Sequence, residues 1–233
     1  MIRIVAEDYL FKVEGIEIEG TDDVGVDVQY PWEDTPRRFH EHRIAIKPFD
    51  VDKYPVTNQE FKKFIDASHY HPKDELNFLK LWNGGTYPAG WANKPVTWVS
   101  QEDARSYAQW AGKRLPREWE WQYAAQGTDG RRYPWGNAWD GSAAPVPDKG
   151  RSMRGPDDVD AHPKGASPFG VIDMVGNVSE WVNACDFAYG QNDLCPALGY
   201  DFKQGGMACA FTPPPTTVRA YADPTIGFRC CAN

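Results

Sequence analysis

Three groups of side chains in this chain could do chemistry. The first is a thiol, Cys209, in the segment "GGMACAFTPPPTTV" that starts at Gly205. A cysteine works as nucleophile or soft-metal ligand through its thiolate, which needs a base, a cation or a second thiolate nearby. None is evident beside it in the sequence. Cys209 is thus either a working thiol completed from elsewhere or a small apolar side chain in a loop. The second group is oxygen. In "VGNVSEW", Asn177 offers an amide oxygen, Val178 a backbone carbonyl and Glu180 a carboxylate, within one tight turn after Gly176. Calcium takes six to eight hard oxygens of such mixed origin. The alternative is that Asn177 caps the turn and Glu180 pairs with an arginine. The third group is imidazole: His40 and His42 are two apart, as are His69 and His71. On a strand both rings of a pair would face one side, a geometry for a two-ligand clamp. Two histidines without a carboxylate ligand rarely make a metal site, and ordinary loop or half-buried histidines are the alternative.

The elements that must position these groups are read from the rest of the chain. Its 233 residues suit one domain, 1–233, with residues 1–42 as an N-terminal extension or as edge strands of the same domain. Ten Trp, eleven Tyr and eleven Phe stand beside 21 Gly and 19 Pro, so rigid rings must be packed by a chain that turns often. A net charge of -8 argues against a nucleic-acid surface, and no apolar run reaches membrane-spanning length. The start, "MIRIVAEDYLFKVEG", has acids where a signal peptide needs apolar residues, which points to a cytoplasmic protein. Five cysteines without regular spacing disfavour a disulfide framework. Cys230 and Cys231 are neighbours, and on a strand they would point to opposite faces.

Alternation predicts strands in 10–19 and again through "HRIAIKPFDV", with Ile44, Ile46 and Phe49 inward and breaks at Pro48 and Pro55; "TDDVGVDVQYPWEDTPRR" between them is expected to be loop. Three helices have physical start signals. Thr57 and Glu60 form a capping box, with Val56 and Phe61 as staple and Phe61, Phe64 and Ile65 as buried stripe. Ser100 caps a second helix that has Asp103 in its first turn and stops at Gly112. The third opens with Pro116 in its first turn and ends at Gly127. Helical periodicity then disappears, which gives an α+β pattern.

Four stretches, in order, carry a family resemblance: "YPVTNQEFKKFI" (54–65), "PVTWVSQEDARSYAQWAGKRLPREWEWQYAAQG" (95–127) with "YPWGN" (133–137), "SPFGVIDMVGNVSEWV" (167–182) and "GFRC" (227–230). From about residue 43 to the end, the chain resembles the formylglycine-generating enzyme, or sulfatase-modifying factor, family. The resemblance implies a C-type-lectin-like fold with little regular secondary structure, short helices around a small mixed sheet, and calcium at the turn that matches Asn177, Val178 and Glu180. In that family two cysteines five positions apart, after a Gly-Gly pair, bind copper(I) as thiolates and oxidise a substrate cysteine with oxygen. Here Gly205, Gly206 and Cys209 are present, but five residues beyond Cys209 stands Pro214, which has no ligand atom. The position that often pairs with the cysteine of "GFRC" is Ala108 here, so Cys230 is expected to be a free buried thiol. Arg114 and Arg229 resemble scaffold arginines of the family. The expectation is a protein without formylglycine-generating activity that binds a protein or peptide, with the proline-rich loop as a rigid surface. The alternative is a divergent copper- and oxygen-dependent oxidase that uses Cys209.

Overall fold

The computed structural model describes residues 1–13, 16–18, 21–26, 29–145, 155–183, 194–198, 216–218, 222 and 224–233, with 16–18, 21–26, 194–198 and 216–218 described by backbone only. Cys209 and the prolines that follow it lie outside the described residues.

Local sequence explains the helices. Helix α1 (Asn58–Ser68) opens on Thr57, whose side chain accepts from the Glu60 N–H while Glu60 reaches back to the Thr57 N–H at 2.9 Å. Phe61 and Phe64 are buried and Ile65 is half-buried on its inner stripe, and His69 caps the end at φ 51°. Helix α2 (Gln101–Trp110) repeats the box with Ser100 and Asp103, and Gly112 follows its last turn at φ 68°. Helix α3 (Glu118–Gln126) starts later than Pro116 suggests. Its N-cap is Arg117, whose backbone N–H donates to the Glu60-like third residue Glu120 at 2.8 Å, so the proline lies ahead of the helix. Gly127 ends it, as expected.

The strands make small sheets. β1 (Ile2–Ile4), β6 (Phe49–Val51) and β11 (Cys231–Ala232) form an antiparallel trio with β6 in the middle, which joins the two ends of the described chain. β2 (Glu7–Val13) pairs with β5 (His40–Ile46) over seven residues, Phe11 opposite His42. β3 (Ile16–Ile18) pairs with β4 (Thr21–Val26), so part of the stretch expected to be loop is strand. Its aspartates and glycine have poor strand propensity, and the ladder with β3 overrides it. β7 (Ser179–Trp181) lies parallel to β10 (Ile226–Phe228) and antiparallel to β8 (Leu194–Leu198), which β9 (Thr216–Val218) flanks. A single 3₁₀ turn, Pro163–Gly165, stands in the described part of the loop-rich half.

Two apolar cores result. One gathers Tyr9, Phe11, Tyr30, Phe49, Trp121, Tyr123 and Cys231; the other gathers Phe61, Phe64, Tyr107, Trp181, Phe228 and Cys230. The closing stretch from β10 (Ile226–Phe228) to β11 runs between them, with Cys230 on one side and Cys231 on the other.

Candidate functional site

The turn that bears the oxygen ligands is built from residues in the left-handed region: Asp173 at φ 58°, Gly176 at 78° and Asn177 at 65°. Aspartate and asparagine tolerate that conformation better than most side chains. Gly176 is also pressed against Pro145, where an added Cβ would sit 3.1 Å from the ring. From this turn β7 starts, and the parallel pairing sets Glu180 beside Gly227. A side chain at Gly227 would come within 2.9 Å of the Val96 carbonyl. The glycine therefore lets β10 approach closely, and Arg229, two residues further on, reaches Glu180.

Glu180 and Arg229 are both fully buried. Arg229 grips the carboxylate with two parallel bonds, Nε to Oε2 and Nη2 to Oε1, each 2.7 Å. The Trp121 indole donates a third bond to Oε2 at 2.8 Å. The other Arg229 protons go to the carbonyls of Asp52, Lys53, Ile172 and Asp173. One guanidinium thus ties the closing strand to β7, to the end of β6 and to the 172–173 turn. Arg114, the other scaffold arginine, makes a two-pronged pair with Glu120 at 2.6 and 2.8 Å.

Asn177 is spoken for at both ends. Its Oδ1 accepts from the Asp157 N–H at 2.8 Å, and its Nδ2 donates to the Asp157 carbonyl and to Asp173 Oδ2, the latter at 2.9 Å. Asp157 in turn meets His162 Nε2 at 2.9 Å. A carboxylate has about four lone-pair sites, and three on Glu180 are filled. Of the trio Asn177, Val178 and Glu180, the amide oxygen of Asn177 faces the Asp157 N–H and the Glu180 carboxylate faces Arg229 and Trp121. Among the described residues no group of three or more His, Cys, Asp or Glu side chains could hold a metal.

The acid short of partners at this turn is Asp173, which sequence reasoning missed. Burial pushes its carboxyl up to about 7, against the opposing pull of the Asn177 hydrogen bond and of Arg229. No local periodicity marks it; the signal available was only its place four residues before Asn177.

The thiols in view are inert. Cys230 and Cys231 are free and fully buried. Burial pushes the Cys230 thiol well up from its ordinary value and Cys231 to about 12. Facing separate cores, they cannot supply two sulfurs to one small ion. The copper pair of the family cannot be assembled from the described cysteines, and Cys209 lies outside them.

The histidines do not form clamps. His40 is buried on β5, with Nδ1 2.8 Å from Glu33 Oε1. His42 stacks on Trp32 at 4.6 Å, Trp32 stacks on Tyr30 at 5.1 Å, and Tyr30 meets the His40 ring edge-on at 4.6 Å. The two imidazoles are linked through the other rings rather than brought to one ion. His69 caps α1, and His69 and His71 are exposed.

Comparison with known proteins agrees with this scaffold. Residues 18–233 match the sulfatase-modifying factor enzyme 1-like domain, a span that starts earlier than the motifs suggest. The chain is 30% identical to the inactive Cα-formylglycine-generating enzyme 2 of Bos taurus, over 82% of this chain and 79% of that protein. It is 27% identical to the formylglycine-generating enzyme of Mycobacterium tuberculosis, over 82% of this chain and 90% of that one. In fold it is similar to PvdO from Pseudomonas aeruginosa, with a TM-score of 0.68 at 19% identity, covering 99% of this chain and 93% of the other.

Proposed function

We propose that this chain, which belongs to the sulfatase-modifying factor enzyme 1-like family, keeps the scaffold of formylglycine-generating enzymes without their paired-thiol chemistry, and serves as a binding or accessory protein. The observation that carries this reading is the segment after Gly205-Gly206. Cys209 stands near the place of the first copper ligand, and the residue five positions on is Pro214. Copper(I) is a soft ion held by soft sulfur ligands, and a lone thiolate holds it poorly against other cellular thiols. Cys230 and Cys231 cannot together supply a sulfur pair, since each is packed in a different core. The kinship with a relative whose own name calls it inactive supports the same reading.

The test is oxidation of a peptide with a sulfatase-type cysteine motif by the copper-loaded protein in air, followed by mass spectrometry. The expected result is an unmodified cysteine. Conversion of that cysteine to the aldehyde would establish the second reading, a divergent copper- and oxygen-dependent oxidase that uses Cys209. That second reading draws on Cys209 after Gly-Gly and on the likeness to the mycobacterial formylglycine-generating enzyme.

At the 173–180 turn the reading is a lock made of protein groups. A calcium ion there would be recruited by Asp173 with the Val178 carbonyl, and Glu180 would add only its remaining lone pair.

A further inference from the structure

The outer edge of β5 is open. Its inner edge pairs with β2 over the full strand, and among the described residues no backbone hydrogen bond reaches it from the other side. Beside that edge lies a cleft of about 470 Å³, with Ile44 to Phe49 on one wall and Arg114, Arg117, Trp119 and Glu120 on the other. Ile44 to Ile46 end β5, Lys47 and Pro48 connect onward, and Phe49 starts β6. Three consecutive strand residues line one cleft through the edge of the chain, because successive side chains of a strand point to opposite faces. The cleft therefore exposes main-chain donors and acceptors, together with an apolar surface from Ile44 and the Trp119 ring.

Its charge is specific. Among the described lining residues the acidic side chain is Glu120, which is held by the two prongs of Arg114, whose Nε also donates to Asn233 Oδ1. Arg117 is half-exposed, 3.7 Å from Glu120 Oε1, with its guanidinium over the Trp119 ring at 5.8 Å. Among the described residues Lys47 has neither a hydrogen-bond nor an ion-pair partner, and it is exposed. Two cations with donors to spare thus flank an open strand edge, in a protein whose net charge is -8. An edge strand in this state accepts an extended segment as an added strand, with main-chain bonds for affinity and side chains for selectivity.

We propose that the open edge of β5, with Lys47, Arg117 and the Trp119 ring, docks an extended acidic segment of a partner protein as an added strand. None of the residues named for docking belongs to the Cys209 segment, so docking can fail while the oxidation assay stays negative, and the reverse.

The probe is a fluorescent eight-residue peptide of alternating valine and glutamate. Companions carry glutamine or lysine in place of glutamate, and a fourth is N-methylated at alternate peptide bonds. Anisotropy should show binding of the glutamate peptide that weakens with salt. The lysine and N-methylated peptides should not bind, and hydrogen exchange should slow at the amides of 44–47. Lys47→Ala and Arg117→Ala should each weaken binding by roughly three- to tenfold, the effect of one partly exposed charge contact. Both side chains are exposed, and Glu120 keeps its two-pronged pair with Arg114, so both variants should fold. Equal binding of the glutamine, lysine or N-methylated peptides would overturn the proposal. So would protection elsewhere on the chain, or no binding at all, which would leave Lys47 and Pro48 as guards against edge-to-edge aggregation. Concentration-dependent dimers that protect the same amides would identify a second copy of the chain as the occupant instead, and would equally refute the acidic-peptide assignment.

Discussion

Two buried carboxylates hold two different regions, and they hold them differently. Glu180 accepts from Arg229 twice and from Trp121 once, and the same arginine satisfies four carbonyls. Glu33 accepts from the Tyr30 N–H and meets His40 Nδ1, yet His40 Nε2 and the Trp32 indole nitrogen are buried there with no hydrogen-bond partner among the described residues. The first region is an interlocked polar knot that ties both halves of the chain. The second is a stack of rings in which aromatic packing carries the order and a few polar atoms are left over. A scaffold of this kind concentrates its polar bonding at one knot, while the β2–β5 pair leaves one edge of β5 without a backbone partner among the described residues.

The comparison breaks hardest at the knot. Arg229→Ala or Glu180→Ala should destabilise the protein by roughly 3–5 kcal/mol, because each leaves an uncompensated buried charge. Equilibrium denaturation should also show Arg229→Lys well below the parent, since an ammonium cannot make the two-pronged grip and serve the carbonyls too. A loss under about 1 kcal/mol for Glu180→Ala would mean that the knot is not what holds the strands.

Asp173 gives the next effect, with a sign that can be worked out. Its carboxyl sits near 7 in the fold against an ordinary 3.8, so the unfolded chain releases its proton first. Below about pH 4 the group costs nothing. As pH rises toward 7 the folded state is progressively penalised, by up to about 4 kcal/mol once the group is ionised in both states. Asp173→Asn should therefore raise the melting temperature at pH 8 and leave it nearly unchanged at pH 4, in buffers with chelator. A lower melting temperature for Asp173→Asn at pH 8, with a chelator effect only in the parent, would show a cation at this turn.

In the aromatic region the effects should be smaller. His40→Phe removes an unpartnered ring nitrogen but leaves Glu33 one donor short, and should cost about 1–2 kcal/mol. With Glu33→Gln added, most of that loss should return. A loss as large as that of Glu180→Ala would make the two regions equivalent.

How much of this was legible beforehand follows the range of each interaction. The capping boxes at Thr57 and Ser100 close within three residues, so the sequence displays both partners. The opposite faces of Cys230 and Cys231 followed from strand alternation alone. Ile46 and Phe49 were found inward for the same reason. Strand β4 was not legible, because "TDDVGV" is a strand only through its pairing with β3. At the turn, Asn177, Val178 and Glu180 were singled out as oxygen ligands for calcium, and the structure shows the side chains of Asn177 and Glu180 buried. Their partners Asp157, Trp121 and Arg229 come from 20, 59 and 49 positions away, which no local pattern encodes. Asp173 stayed hidden because its importance comes from its burial, which the sequence does not display.

The central claim concerns sulfur, and one titration reaches it most directly. Reduced protein, competed against a chromophoric copper(I) chelator, reports how many copper ions the chain retains. With Pro214 in place of a second thiolate, the chain should surrender all its copper to the chelator. Retention of one copper(I) per chain, abolished by Cys209→Ser, would contradict the account and restore an oxidase.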